Sequence, residues 1–320
     1  MTGPLWSYRR RARLGVKWVA KKGRVLVGFR ERHSAFLADV RRCEVLDERV
    51  GGLLEDLAQM IEALSIRDHI PQIEVAGGDE VIGLNFRVLA PPSETDLAQL
   101  RAFGERHGLA LYLQSGGPDS VRPLGPEPLE LSYRLPDFDL NLEFQPWHFI
   151  QINAAINRQL VERACDLLEM GLEDRVLDLF CGLGNFSLAL ARRAREVVGV
   201  EGDASLVEWA RRNAVRNGIA NAAFYAADLT GDLSAQSWLA GGYDQVLLDP
   251  PRSGALELMP QIAALGARRV VYVSCHPATL ARDVGELVHR FGYRLLGAGV
   301  LDMFPHTAHV ESVAVLQRLQ

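Results

Sequence analysis

Cys275 and His276 stand between RRVVYVS, which reads as a buried strand, and PATLARD, which reads as the opening of a helix. A thiol at that junction faces the positive end of a helix dipole, which favours the nucleophilic thiolate. Just before the last strand-like run, HTAHVES brings His306, His309 and Glu311. Upstream, Asp178, Glu201 and Asp228 close successive strand-like runs, and Asp249 opens Asp-Pro-Pro-Arg at the end of a fourth. A thiolate that adds to an electrophilic carbon, with a carboxylate at hand to move protons, is the chemistry these types allow. The commoner role of a cysteine, a small buried hydrophobe, suits Cys165 inside a helix.

The elements that must position these groups alternate regularly. After a helix over about 151–170 come the strand RVLDLF, a glycine turn, a helix, EVVGVE, the helix SLVEWARRNAVRN, AAFYAAD, YDQVLLD, a helix and RRVVYVS. Such alternation predicts a parallel sheet covered on both faces, with ligands beyond the carboxyl ends of its strands. YRLLGAGVLDMF and VESVAVLQRL have no long helix between them and are expected to pair antiparallel at one edge. Residues 1–145 read differently, as a smaller α+β domain. RARLGVKWVA and RVLVGF form a hairpin, with AFLADV as a third strand, and a helix runs over 44–64. IPQIEVA and EVIGLNFRVLA form a second hairpin; Ser93 caps a helix to His107, LALYLQS is a strand, SGGPDSVRPLGPEP a loop, and 129–144 further strand. The expected division is 1–145 and 146–320.

At 320 residues the chain accommodates two such domains. It has no apolar run long enough to cross a bilayer and no signal-like N-terminus, which excludes a membrane partner from the expectation. Four cysteines without a CxxC pair point to a reducing cytoplasm. The net charge of −5 is uneven: residues 1–42 hold twelve Lys or Arg against Glu31 and Asp39. A basic block in an acidic chain suits a polyanion, and Trp6, Tyr8, Trp18 and Phe29 among the charges offer stacking surfaces for RNA. His306 and His309 lack a third ligand of suitable spacing, so structural or RNA-contacting roles suit them better than a metal.

Gly182 and Gly184 in DLFCGLGNF let the backbone approach a ligand, but the third glycine of the pyrophosphate fingerprint is missing. Glu201 is placed for ribose hydroxyls and Asp228 for an adenine amino group. Together these features resemble class I S-adenosylmethionine (SAM)-dependent methyltransferases, whose Rossmann-like fold they imply. Asp249-Pro250-Pro251-Arg252 resembles turns that line the reacting base in nucleobase methyltransferases. Uracil C5 is a weak nucleophile; a thiolate adding to C6 makes C5 enolate-like, and a base must later remove the C5 proton. Cys275 fits the first role, Glu311 the second, and Asp249 can hydrogen-bond the uracil edge.

FIQIN, DLFCGLGNF, DPPR, SCHPATLARD and HTAHVE, in that order, resemble the RNA uracil-C5 methyltransferase family, and within it the bacterial 23S ribosomal RNA branch. The resemblance implies Cys275 as nucleophile and Glu311 as base. It also implies Gln151, Phe180, Asn185, Glu201, Asp228 and Asp249 around SAM and the target base, 23S rRNA as partner and 5-methyluridine as product. The oligomeric state is not written in the sequence, a monomer being the expectation. His276 stands where many members have Asn. Cys43 alone matches one of four iron–sulfur ligands found in such members, so no complete cluster is expected within these residues. The alternatives are a tRNA uracil-C5 enzyme, a methyltransferase for an exocyclic base amine, which would not need Cys275, and an RNA-binding fragment of weak activity.

Overall fold

The computed structural model describes residues 1–125, 129–231 and 233–319, which form two compact units. The first comprises Pro4–Tyr133 and Glu143–Ala154. Its six-stranded sheet runs in the order β2-β1-β3-β4-β5-β6, from β1 (Arg11–Val19), β2 (Arg24–Gly28), β3 (Gln72–Gly77), β4 (Ile82–Arg87), β5 (Leu109–Gln114) and β6 (Val121–Pro123). Alternation in β1 buries Ala12, Leu14 and Val16 and turns Arg13 and Lys17 outward. Helices α1 (Glu48–Gly51), α2 (Leu54–Glu62) and α3 (Glu94–His107) complete the unit, with Leu57, Ile61 and Leu100 in its core.

Three expectations change here. The helix expected over 44–64 is broken between α1 and α2 at Gly51-Gly52. A Cβ on Gly51 would stand 2.4 Å from the Cys43 carbonyl oxygen, so the chain bends where only glycine fits. AFLADV is no strand; its one ladder contact is the Arg30–Leu37 bridge. The loop expected at 115–128 contains β6, paired with β5, and its residues 126–128 lie outside the described residues. The Ser93 cap holds: Ser93 and Asp96 form a capping box at the start of α3.

The hairpin of β7 (Leu131–Leu135) and β8 (Leu140–Phe144) carries the boundary between units. The second unit takes Met1–Gly3, Arg134–Leu142 and Ala155–Gln320, so the units interleave instead of meeting at one cut near residue 145. Residues 143–154 return to the first unit, where Arg10 N–H donates to the Ile152 carbonyl at 2.9 Å.

Helix α4 (Ala154–Leu168) leads into the second unit, starting three residues later than expected. Then follow β9 (Arg175–Leu179), α5 (Ser187–Ala191), β10 (Glu196–Glu201), α6 (Ala204–Arg216), β11 (Ala222–Ala226), β12 (Gln245–Leu248), α7 (Met259–Leu265), β13 (Arg269–Ser274), α8 (Pro277–Arg290), β14 (Tyr293–Leu301) and β15 (Glu311–Arg318). The sheet order is β11-β10-β9-β12-β13-β15-β14. The first five strands are parallel and mostly apolar in their middles, as strands covered on both faces must be, with Asp178 of β9 the buried charged exception. β15 lies antiparallel between β13 and β14, and Leu296 is a bulged extra residue of β14 against β15.

Candidate active site

The sequence-expected acids collect at the carboxyl ends of the parallel strands. Asp178 on β9 is fully buried and accepts a 2.5 Å hydrogen bond from Ser187 Oγ, while its Oδ1 has no hydrogen-bond partner among the described residues. Burial pushes its carboxyl up to about 7 against the pull of Ser187, with Asp249 and Glu201 adding to the rise. The chain then turns sharply through Phe180 (φ 65°), Gly182 (φ 55°) and Gly184 (φ 97°), three left-handed residues within five. For Phe180 that conformation costs about 1–3 kcal/mol, a strain typical of ligand-binding turns.

Three side chains from three elements hold this turn. Glu201, ending β10, accepts from Gly182 N–H at 3.0 Å through Oε2 and from Asp203 N–H at 3.1 Å through Oε1. Each oxygen keeps a second lone pair for a ligand hydroxyl. Asn213 of α6, almost fully buried, donates to the Leu183 carbonyl at 3.2 Å. Asn157 of α4 and Asn185 of the turn exchange amide hydrogen bonds of 2.9 and 3.0 Å, which ties the orientation of one amide to that of the other. Asn157 and Asn213 were not found by strand-end reasoning. Their signal in the sequence is an asparagine on the apolar, core-facing side of a helix, where a polar group needs a partner.

Asp228 lies two residues past β11, exposed, and curls onto its own turn: Oδ1 accepts from Thr230 N–H at 2.9 Å and Oγ1 at 2.7 Å. Those bonds lower its pKa and leave Oδ2 as the acceptor for a ligand. Gln151 belongs to the segment 143–154 of the other unit and is half-buried.

Cys275 follows β13 directly, and His276 is the N-cap of α8, its Nδ1 accepting from Thr279 N–H at 3.4 Å. The last rung of the β13–β15 ladder pairs Ser274 with Ser312, and Ser312 Oγ donates to the Ser274 carbonyl at 3.0 Å. Cys275 and Glu311 are the residues next to that rung, and the Glu311 carboxyl is near enough to act on the Cys275 thiol. Glu311 is 3 % exposed; burial, with Asp249 adding, raises its carboxyl to about 8. Asp249 keeps some open surface as a residue, yet its carboxyl is withdrawn from water and rises to about 7.

The thiol departs from expectation. The helix end was expected to lower its pKa; instead burial, Glu311 and Asp249 raise it, and Arg252 opposes them only in part. A dipole worth a fraction of a charge loses to burial of the thiol and, after it, to two carboxyl groups.

Side chains of α8 also hold the Asp-Pro-Pro-Arg loop. Asp283, fully buried, accepts from Ala255 N–H at 2.7 Å and Tyr272 Oη at 2.6 Å, and Arg282 reaches the Ser253 carbonyl at 2.9 Å. The helix that starts beside Cys275 thus braces the loop that starts at Asp249. His309 packs edge-on against Phe304, and the described residues contain no group of three or more metal-ligating side chains. Cys43, half-buried in the first unit, is a single thiol and cannot hold a four-ligand cluster by itself.

This sheet order, with a glycine turn after the first parallel strand and acids at the strand ends, defines a SAM-dependent methyltransferase fold. Residues 7–319 match the family model described as tRNA (Uracil-5-)-methyltransferase, and the chain belongs to that family of uracil-C5 RNA methyltransferases. It is 59 % identical over 320 residues to the 23S rRNA (uracil(1939)-C(5))-methyltransferase RlmD of Alkalilimnicola ehrlichii, covering 99 % of this chain and 72 % of that protein. The protein of the same description from Methylococcus capsulatus is 54 % identical over 319 residues, again covering 99 % and 72 %. Among solved structures, the Pyrococcus abyssi tRNA (uracil-54, C5)-methyltransferase in complex with S-adenosyl-L-homocysteine superposes with a TM-score of 0.77 at 27 % identity, covering 99 % of this chain and 78 % of that one.

Proposed function

We propose that the protein methylates C5 of a uridine in 23S rRNA, at the position that its relatives' names give as 1939. The observation that carries this reading is Cys275 directly after β13 and Glu311 at the start of the adjacent β15, the two residues next to the Ser274–Ser312 rung, with Asp249 close enough to shift both.

The turn fits a SAM molecule: Gly182 and Gly184 remove side chains from its approach, Glu201 has acceptors left for ribose hydroxyls, and Asp228 Oδ2 is open to an adenine amine. Phe180 and Asn185 line the same turn. For Gln151 the support is the family pattern alone. When bound, SAM supplies an electrophilic methyl group and a positive charge. A nearby positive charge would let Cys275 release its proton to water more readily, so that thiolate would form once the methyl donor is bound.

The thiolate Sγ then adds to uracil C6, breaking the C5–C6 π bond and pushing its electrons toward the O4 carbonyl. Asp249, retaining a proton up to about pH 7, can donate to a pyrimidine carbonyl as negative charge develops there. After C5 is alkylated, Glu311 in its ionised form removes the C5 proton. The electron pair re-forms the C5–C6 double bond and expels the Cys275 thiolate. The uridine must first be unstacked, because its C6 is shielded in a helix. Such a substrate places the reaction in the cytoplasm, where ribosomal RNA resides.

The test is mass-spectrometric mapping of methylated nucleotides in 23S rRNA and tRNA after incubation with the protein and SAM. 5-Methyluridine at one 23S position is expected. Methylation of tRNA alone would favour the activity named for the Pyrococcus abyssi structure, and methylated exocyclic amines would overturn the thiol mechanism.

A further inference from the structure

The basic charge of residues 1–42 divides into two populations. Along and near β1 three arginines are paired: Arg10 with Asp79, and Arg11 and Arg13 both with Glu74 at 3.4 and 3.1 Å, while Lys17 forms no ion pair among the described residues. The aromatics expected to stack are mostly occupied too. Tyr8 is buried, Phe29 packs on the core and Trp18 lies under Arg67 at 4.5 Å; only Trp6 is largely exposed.

The second population sits on a finger formed by residues 29–38. Ala38 N–H donates to the Phe29 carbonyl and Glu31 N–H to the Phe36 carbonyl, each at 2.9 Å, and Ser34 N–H closes the tip on the Glu31 carbonyl at 3.2 Å. Leu37 anchors the finger: it packs so tightly over Gly15 that a Cβ there would lie 2.6 Å from Leu37 Cδ2. Neighbours in extended chain point opposite ways, so an inward Leu37 forces Phe36 outward, where it is 68 % exposed. Arg30, Arg32 and His33 are exposed around it, and neither arginine forms an ion pair among the described residues. Arg30 only leans on the finger's own Ala35 carbonyl at 3.5 Å.

We propose that this finger is an RNA contact, with Phe36 stacked on an unpaired base and Arg30 and Arg32 holding the flanking phosphates; it rests on the RNA substrate proposed above. One aromatic ring among guanidinium groups is far smaller than a hydrophobic protein interface needs. It is sufficient for base stacking, which uses a single ring face and gains from adjacent cations.

Methyl transfer to a 23S rRNA fragment that carries the target uridine and its single-stranded flanks provides the test, with anisotropy for affinity. Phe36→Ala is expected to raise KM for the RNA about tenfold and to leave kcat at saturating RNA and SAM affinity unchanged. Phe36→Trp should restore the affinity, whereas Phe36→Leu should not, since stacking needs a ring. Arg30→Glu with Arg32→Glu should weaken binding and flatten its salt dependence by about 1.4 in logarithmic slope. Unchanged KM in the alanine and glutamate variants, or full rescue by leucine, overturns the finger contact while leaving the methyltransferase reading intact. A wild-type chain that neither binds nor methylates the fragment overturns both.

Discussion

The two rims of the catalytic sheet carry the same residue types under opposite electrostatics. At the amino ends, Asp174, Asp244 and Arg268 directly precede β9, β12 and β13. Asp174 accepts from Arg268 at 2.5 Å, Gln245 Nε2 at 2.8 Å and Gly171 N–H at 2.5 Å, and Arg175 pairs with Glu196 at 3.1 Å. Burial alone would raise the Asp174 pKa, but these donors outweigh it and hold it below the usual carboxylate range. At the carboxyl ends, Asp178, Asp249 and Glu311 are withdrawn from water with few cations near, and all three rise to about 7 or 8. Burial acts on both rims in the same sense; the sign of the shift is set by the partners supplied. One rim is neutralised for stability, and the other is left with protons to trade.

That contrast can be broken most severely at the carboxyl rim. Cys275→Ala should reduce turnover by more than about a thousandfold with SAM affinity unchanged by calorimetry. Normal turnover would remove the thiol from the mechanism. Glu311→Gln should slow turnover by about a hundredfold to ten-thousandfold and accumulate a denaturant-resistant RNA–protein adduct on gels, because addition can occur without elimination. In the wild type, kcat should climb with pH up to about 7 as the ionised fraction of Glu311 grows, and level off or fall beyond it as Asp249 loses the proton it donates. A profile flat from pH 6 to 8 would contradict that assignment.

At the amino rim, Asp174→Asn should cost about 1–2 kcal/mol in urea unfolding and leave kcat unchanged. The pH dependences of stability should also be opposite. The lowered Asp174 contributes stability that is lost as pH falls below its unfolded value near 4. The raised Asp178 binds a proton that the unfolded chain releases near pH 4, so its contribution fades as pH climbs toward 7, and Asp178→Asn should flatten that decline. The smallest effect concerns reactivity. Peptide-mapped alkylation of Cys275 should shift to lower pH in Asp249→Asn, since one opposing carboxylate is gone.

Much of the carboxyl rim was legible because strand ends and glycine turns announce themselves locally. Periodicity placed Asp178, Glu201 and Asp249, and the His276–Pro277 junction marked the start of α8. What stayed hidden depends on side chains meeting across elements. No local pattern reveals that Asn157 of α4 finds Asn185, or that burial, with Glu311 and Asp249 adding, raises Cys275 against the helix-end effect. In the first unit, AFLADV has the composition of a strand, but Leu37 packs on Gly15 and makes only an isolated bridge to Arg30. Apolar alternation at 44–64 hid a break that only the Cys43 carbonyl beside Gly51 makes necessary.

The bulge at Leu296 has a bearing on how this active site tolerates insertions and deletions. A change of length in β14 alters only its ladder with β15, where one surplus residue is already absorbed, and most of that strand lies open to water. A change of length in β15 has no such outlet. Sliding it by one residue against β13 would carry Glu311 to the opposite face of the sheet, away from Cys275. Of two adjacent strands, one can drift in length while the other is held to a single register by the chemistry at its end.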